Sequence, residues 1–130
     1  PLIRTIVSKG DYDVSYTLFY YIGQGWGIRL NNIDVGLFPF SEWDVWYHIA
    51  FTYERDRGYG VIFLNGVEGT HYDYSSAIGT NTDPLYIGEE QIPSAGRRWT
   101  GLIDSVRIYN RGLTPLEVQR NYLATKGRYQ

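Results

Sequence analysis

The chain has 130 residues, a length that suits one domain with a single core, so we expect one domain over residues 1–130. Its formal net charge of −2, with acids and bases interspersed, argues against a nucleic-acid partner, and no apolar run reaches the ~20 residues of a membrane helix. Cysteine is absent, which excludes disulfides and thiolate metal sites. Because the sequence begins at Pro1 rather than Met, we expect it to be processed or part of a longer chain.

The composition and the first part of the chain indicate a β-rich protein. There are 13 Tyr and 15 Gly residues; tyrosine combines strand propensity with a polar tip, and glycine is common in tight turns. Alternation predicts strands at residues 3–9, 14–22, 26–30 and 33–37. In the second of these strands, the side that faces the core should consist of Val14, Tyr16, Leu18, Tyr20 and Ile22.

The middle of the chain predicts a further strand and a hairpin. Residues 46–53 alternate, with a bulkier face formed by Tyr47, Ile49, Phe51 and Tyr53. Predicted strands at 59–64 and 67–72 flank Asn65-Gly66, a dipeptide that supplies the two positive φ angles of a type I′ turn. Another short strand is predicted at 85–88, after a proline that restricts the preceding backbone.

The longest alternation in the chain lies at residues 99–111. In a strand, Leu102, Val106 and Ile108 would share one face with Asp104. A carboxylate in an apolar row must pair, accept hydrogen bonds or bind a metal. We therefore expect Asp104 to have a partner outside this strand.

A short helix should follow that strand. Thr114-Pro115-Leu116-Glu117 combines a capping residue, a proline at the first helical position and a glutamate three residues after the cap. Leu116, Tyr122 and Leu123, with Val118 or Asn121 beside them, would form its apolar side. About eight or nine strands with one short C-terminal helix predict an all-β fold, an antiparallel two-sheet β-sandwich of jelly-roll type.

Four blocks of sequence follow one another at regular intervals. They are Trp46-x-His48-Ile49-Ala50-Phe51-Thr52-Tyr53, Phe63-Leu64-Asn65-Gly66-Val67, Pro84-Leu85-Tyr86-Ile87-Gly88, and Gly101-x-Ile103-Asp104-x-Val106-Arg107-Ile108-Tyr109-Asn110-Arg111 with Thr114-x-x-Glu117. Together they make the chain, from about Ile3 to Tyr122, resemble the laminin-G-like domains of the concanavalin A-like lectin/glucanase jelly roll. The resemblance implies two curved sheets with a concave face, frequent calcium binding, and roles in carbohydrate binding or adhesion.

The same resemblance implies a difference from the family. Its members usually have one or two further strands before the block that matches residues 6–10, and these include residues that share the calcium site with the position of Asp104. We expect Asp104 to be either a calcium ligand or a buried hydrogen-bond acceptor. We also expect an unpaired sheet edge where those strands would lie.

Catalysis is not expected. Glycosidases with sandwich folds use two carboxylates roughly 5–9 Å apart, and the candidate pairs Asp11/Asp13 and Glu42/Asp44 both lie in predicted turns. The sequence has no Gly-x-Ser-x-Gly nucleophile elbow, no zinc-type histidine spacing and no glycine-rich phosphate loop. His48 lies in mid-strand, where a hydrogen-bonded structural histidine is more common than a metal ligand.

Exposed rings are the candidate ligand-binding groups. Sugars stack on aromatic rings and hydrogen-bond to planar polar side chains. The residues selected on this basis are Tyr12, Tyr21, Arg29, Tyr72, Tyr74, Arg107 and Tyr109. The alternative is that outward tyrosines only solvate a sheet, and Trp26 and Trp46 are expected in the core.

These observations predict a non-catalytic carbohydrate-binding or adhesion module, extracellular or on a particle or cell surface, with calcium as a candidate cofactor. The alternative is a structural assembly module, such as a virion decoration, filament or cell-surface attachment domain. In that case the partner is a protein, which binds through the unpaired sheet edge. Neither a nucleic-acid partner nor insertion into a membrane is expected.

Overall fold

The computed structural model describes residues 3–11, 14–39, 42–91 and 97–129. In chain order its strands are β1 (Ile3–Lys9), β2 (Tyr16–Tyr21), β3 (Gly25–Leu30), β4 (Ile33–Pro39), β5 (Ile49–Glu54), β6 (Tyr59–Leu64), β7 (Val67–Glu68), β8 (Thr70–His71) and β9 (Leu85–Ile87). They are followed by the α-helix α1 (Pro115–Thr125), and short 3₁₀ helices lie at Arg55–Arg57 and Lys126–Arg128. None of the helices in these ranges has the length and apolar character of a membrane-spanning segment.

The strands form two antiparallel sheets. Sheet A has six strands in the order β8-β4-β3-β2-β1-β9, and sheet B has three in the order β5-β6-β7. Consecutive strands pair through β2, β3 and β4 and again through β5 and β6, as short connections between antiparallel strands favour. The predicted two-sheet β-sandwich with one short C-terminal helix is confirmed.

The core lies between the two sheets. One buried cluster consists of Ile6, Val7, Tyr20 and Trp26 from sheet A with Ile62 and Leu64 from sheet B. A second cluster, built on Ile28, Leu30 and Val35 of sheet A, packs against Phe51 and Tyr53 of sheet B. Burial of these side chains is the main term that holds the sheets together.

β2 is buried on both of its faces. Tyr20 faces the core as predicted, whereas Val14 and Ile22 are exposed, so their expected burial was wrong because they lie beyond the ends of the strand. Phe19 points to the opposite face, yet it is only 2% exposed. Its ring occupies the space above Gly27, where an added Cβ would lie 2.5 Å from Phe19 Cζ.

The helix α1 adds a third layer on the outer face of sheet B. Val118 of the helix and Leu113 just before it form a buried cluster with Val61 and Phe63 of β6. The side of the helix predicted to be buried was wrong at Leu116 and Leu123, which point away from the sheet and are exposed. Val118 instead points at the sheet and is buried.

The predicted helix cap is confirmed. The Thr114 side chain accepts a hydrogen bond from the Glu117 backbone N–H, and the Glu117 carboxylate accepts one from the Thr114 backbone N–H. This reciprocal pair satisfies two donors that the first turn of a helix leaves unpaired.

The Asn65-Gly66 turn is also confirmed, since both residues have positive φ, 50° and 78°. The strand predicted after it is instead two short strands in different sheets, β7 in sheet B and β8 in sheet A. Gly69 lies between them, and a Cβ there would lie 2.5 Å from the Phe38 ring. A glycine is therefore required where the chain crosses between sheets.

Residues 99–111 do not form the predicted strand. They belong to neither sheet, and Asp104 is exposed rather than buried in an apolar row, while Leu102 is 76% exposed. The side chains that pack against the core are Trp99, Ile103 and Val106, at spacings of four and three residues. Two-residue alternation requires pairing with a neighbouring strand, and none of the described residues provides one.

Candidate functional site

A shallow hollow lies on the face of sheet A that points away from sheet B. Its volume is about 210 Å³, and it is lined by Phe19, Tyr21, Gln24, Asp34, Gly36, Leu37 and Tyr72. We call it the tyrosine hollow. Phe19 and Tyr21 come from β2 and Leu37 from β4, while Tyr72 directly follows the edge strand β8. Three stretches of the chain therefore meet at this site.

The base of the hollow depends on one cross-strand contact. Phe19, Gly27 and Leu37 are directly opposite one another on three adjacent strands. Because Gly27 has no side chain, the Phe19 ring can occupy the position above it, beside Leu37. This packing buries Phe19 on a face that is otherwise directed to solvent.

An ion pair lies at one side of the hollow. Arg29 Nε donates a hydrogen bond to Asp34 Oδ1 at 2.7 Å, and the two residues are cross-strand partners on β3 and β4. The Arg29 side chain is 19% exposed and that of Asp34 is 50% exposed, so the carboxylate remains accessible from the hollow. The site thus combines aromatic rings with a fixed carboxylate and the exposed Gln24 amide.

The structure brings three of the seven predicted ligand-binding residues together. Tyr21 and Tyr72 line the hollow, and Arg29 holds its carboxylate. Tyr74 lies elsewhere and is half-buried. Its hydroxyl accepts a hydrogen bond from Asn31 Nδ2, and its ring lies 5.8 Å from the ring of Tyr53.

Two other predicted residues lie on the sheet B side of the molecule. Arg107 and Tyr109 are both exposed and belong to the segment that precedes the helix. The Tyr109 hydroxyl accepts a hydrogen bond from Asn121 Nδ2 of α1 at 3.4 Å. Tyr12 lies outside the described residues, as does Asp13 of one candidate carboxylate pair.

Asp104 accepts a hydrogen bond from the Tyr129 hydroxyl, which supplies the expected partner at an exposed position. This interaction raises the pKa of Tyr129, chiefly through the hydrogen bond. In the part of the chain that the structure describes, no group of three or more His, Asp or Glu side chains could hold a metal ion. Calcium usually takes six to eight oxygen ligands. The described surroundings of Asp104 do not provide such a set, and calcium binding here stays a prediction.

A second concavity, which the sequence did not reveal, opens at one end of the sandwich. Its volume is about 380 Å³, and its lining includes the aromatic residues Tyr20, Trp26, Trp43, Trp46, Tyr47 and Trp99. We call it the tryptophan cleft, since it contains all four tryptophans of the chain. Among the described residues that line it are two acidic residues, Glu42 and Asp44, and no basic residue.

The tryptophans differ in how deeply they lie in this cleft. Trp26 is buried as predicted, but the expected burial of Trp46 was wrong, since it is 39% exposed and its ring lies 4.9 Å from that of Tyr129. The indole N–H groups of Trp26 and Trp99 are buried, and no described residue accepts a hydrogen bond from them. The strand predicted from residue 46 begins instead at Ile49, so Trp43 and Trp46 lie in an irregular stretch just before β5 rather than in a strand core.

His48 lies outside both concavities, on the helix side of sheet B. Its ring is 5.9 Å from that of Tyr122, and its Nδ1 is buried with no hydrogen-bond partner among the described residues. Burial, and then the positive charge of Arg107, lowers the pKa of His48. The side chain is a packing group beneath α1, and its Nδ1 lacks the hydrogen bond expected from the sequence.

Comparisons with known proteins agree with this architecture. A laminin G family model, described as the concanavalin A-like lectin/glucanases superfamily, matches residues 3–119. The crystal structure of an S-layer domain-containing protein (residues 221–444) from Clostridium thermocellum aligns with a TM-score of 0.54 at 24% sequence identity. The alignment covers 82% of this chain and 51% of that chain, so this chain spans about half the length of its structural neighbour. At this identity the similarity supports the fold alone. No curated protein sequence gives a significant match.

Proposed function

The chain belongs to the concanavalin A-like lectin/glucanases superfamily, and we propose that it is a non-catalytic carbohydrate-binding or adhesion module on a cell or particle surface or outside the cell. The observation that supports this function is the tyrosine hollow, in which two tyrosine rings, a fixed carboxylate and an amide surround one shallow site. Its volume of about 210 Å³ is below the roughly 300–1,000 Å³ of pockets for drug-sized ligands. The hollow therefore suits a single sugar ring, either the terminal ring of a glycan or one within the glycan chain.

Each group in the hollow has a role in this proposal. The rings of Tyr21 and Tyr72 stack on the apolar face of the sugar, and the Asp34 carboxylate accepts hydrogen bonds from its hydroxyl groups. Arg29 keeps that carboxylate in place without itself occupying the hollow. Because the site is shallow, one copy binds weakly, and affinity on a surface comes from several copies at once.

The number and pairing of acidic residues at the site support a function without catalysis. Hydrolysis of a glycosidic bond normally needs two carboxyl groups on either side of it. Among the described residues that line the hollow, Asp34 is the one acid, and it is paired with Arg29. The acids Glu42 and Asp44 line the tryptophan cleft instead.

A glycan array followed by titration tests this function. The purified chain is applied to a broad array, with calcium and then with a chelator, and bound glycans are titrated against variants. Loss of a stacking ring removes about 0.5–1.5 kcal/mol, so Tyr72→Ala should weaken binding by about two- to tenfold. Tyr72→Phe, which keeps the ring, should retain most of the affinity.

Tyr109→Ala is the matched control, because Tyr109 is 46% exposed and Tyr72 is 48% exposed, but only Tyr72 lines the hollow. Binding should be unchanged in Tyr109→Ala. If no glycan binds under either condition, the proposed function is wrong. If Tyr109→Ala weakens binding and Tyr72→Ala does not, the glycan site lies on the other side of the molecule.

A second candidate function, assembly with a protein partner, is favoured by a different observation. β5 is an edge strand of sheet B, and the segment 100–112 beside it makes no strand pairing with any described residue. Exposed strand edges take up strands of other chains. A protein that uses this edge would attach the module to a larger surface structure.

A further inference from the structure

The tryptophan cleft has a packed interior and two exposed rings. Between ring centroids, Trp26 lies 4.9 Å from Tyr20, 5.8 Å from Tyr47 and 6.0 Å from Trp99, so these four rings support one another. Trp43 and Trp46, by contrast, are 66% and 39% exposed. Exposed indole rings beside a packed aromatic interior are suited to stack on the apolar face of a ligand.

Two buried hydrogen-bond donors belong to the same cleft. Trp26 is only 8% exposed, and neither its Nε1 nor that of Trp99 has a hydrogen-bond partner among the described residues. Nε1 of Trp99 lies 3.2 Å from the position that a Cβ on Gly101 would occupy, and Gly101 also lines the cleft. A buried donor without an acceptor costs free energy. An oxygen atom of a ligand in the cleft would supply that acceptor.

The charge at the cleft has one sign. Glu42 and Asp44 are exposed, and neither carboxylate forms an ion pair with a described Lys or Arg. The described residues that line the cleft include no basic residue, and the residues outside the described ranges include no Lys or Arg. A positive charge that complements the two carboxylates would therefore come from a ligand.

We propose that the tryptophan cleft binds a protonated amino sugar, that is, a sugar whose ring carries a free amine. The exposed indole rings stack on the apolar face of the sugar, and the two carboxylates and the rings attract its ammonium group. A sugar oxygen accepts a hydrogen bond from a buried indole N–H. This site is separate from the tyrosine hollow, and the inference does not depend on binding there.

The size of the cleft agrees with such a ligand. Its volume of about 380 Å³ lies within the roughly 300–1,000 Å³ of pockets for drug-sized ligands, whereas the tyrosine hollow has about 210 Å³. Two linked sugar rings are therefore a better probe of this cleft than one.

Titration with three disaccharides tests the proposal. The probes are β-1,4-linked glucosamine disaccharide, its N-acetylated form, and cellobiose, which share ring configuration and linkage, but only the first is positively charged. In calorimetric titrations, the charged disaccharide should bind about three- to tenfold more tightly than the other two. In nuclear magnetic resonance spectra of the same mixture, the indole N–H signals of Trp26 and Trp99 should shift.

Variants separate the contributions of stacking and charge. Trp43→Ala should weaken binding of the charged disaccharide by about two- to tenfold, and Trp43→Phe should retain most of the affinity. The double variant Glu42→Gln, Asp44→Asn should remove the preference over cellobiose. Its matched control is Asp56→Asn, Glu68→Gln, which changes the net charge equally at exposed acids that do not line the cleft and should keep the preference.

Four outcomes overturn the proposal. Equal affinity for the three disaccharides means that binding does not use the charge, and equal loss of preference in the two double variants means that net charge alone attracts the ligand. Binding that leaves the Trp26 and Trp99 indole signals unchanged lies elsewhere. Absence of any effect at about 10 mM ligand rejects the site. Tyr72→Ala should bind the charged disaccharide as the parent does, so the tyrosine hollow is tested separately, and a loss in Tyr72→Ala alone assigns the ligand to the hollow instead.

Discussion

Replacing Gly27 with Ala tests whether Phe19 forms the base of the tyrosine hollow. A Cβ at residue 27 would lie 2.5 Å from Cζ and 2.7 Å from Cε2 of Phe19, so the ring must move. Phe19 is 2% exposed, and overpacking of a buried ring costs about 1–3 kcal/mol. We expect Gly27→Ala to lower the free energy of unfolding by about 2 kcal/mol and to weaken glycan binding in the folded protein.

The chain offers a matched control in sheet B. A Cβ at Gly60 would lie 2.5 Å from Cζ and 2.7 Å from Cε2 of Phe51, but neither residue lines the hollow. Gly60→Ala should lose a comparable or smaller amount of stability, because Phe51 is only half-buried, and should keep its glycan affinity. Urea denaturation followed by circular dichroism measures stability, and calorimetric titration at low urea measures binding. The reasoning is refuted if Gly27→Ala is within about 0.5 kcal/mol of the parent. Equal loss of affinity in both variants would indicate general instability instead.

Three other predictions concern the turn, a histidine and the helix cap. Gly66→Val should destabilise the protein by about 1–2 kcal/mol, because φ is 78° at this residue. The control is Gly58→Val, which measures the backbone strain alone, since φ is 81° there and no atom lies within 4 Å of an added Cβ. If Gly66→Val is as stable as the parent, the assigned turn type is wrong. Burial and then the charge of Arg107 lower the pKa of His48 in the folded state, so the unfolded chain binds more protons below about pH 6.5 and stability falls as the pH decreases. In His48→Gln, the free energy of unfolding measured by urea denaturation should fall less between pH 7 and pH 5 than it does in the parent. If the fall between these two pH values is the same in both proteins, the pH dependence does not come from His48. Thr114→Ala removes a confirmed cap and should cost about 1 kcal/mol in thermal unfolding, whereas a change below about 0.3 kcal/mol would mean that the cap is dispensable.

The elements that could be predicted from the sequence are those with a local physical cause. Asn65 and Gly66 favour a type I′ turn because both residues readily adopt positive φ angles. Thr114 and Glu117 favour the start of a helix because their side chains cap its first turn. The four sequence blocks also predicted the family correctly. The signals for the turn and for the cap each lie within a few residues and do not depend on the rest of the fold, whereas the family is indicated by the order and spacing of four blocks along the chain.

The segment 99–111 could not be predicted because its alternation implies a neighbouring strand that the described residues do not supply. Without that strand, Asp104 is exposed and accepts a hydrogen bond from Tyr129. The tyrosine hollow was predicted only in part for a related reason. Tyr21 and Tyr72 are far apart in sequence and meet because β8 joins the edge of sheet A, and no local pattern specifies that pairing.

The grouping of all four tryptophans at one cleft makes the intrinsic fluorescence of this protein a local probe. Emission excited at the red edge of the absorption band will report only on that end of the sandwich, without any label. The opposite end, where Tyr53 and Tyr74 contact each other, will be silent in the same experiment. Unfolding curves recorded by tryptophan emission and by far-ultraviolet circular dichroism will therefore coincide only if both ends lose structure together, so the pair of signals measures directly how cooperative the domain is.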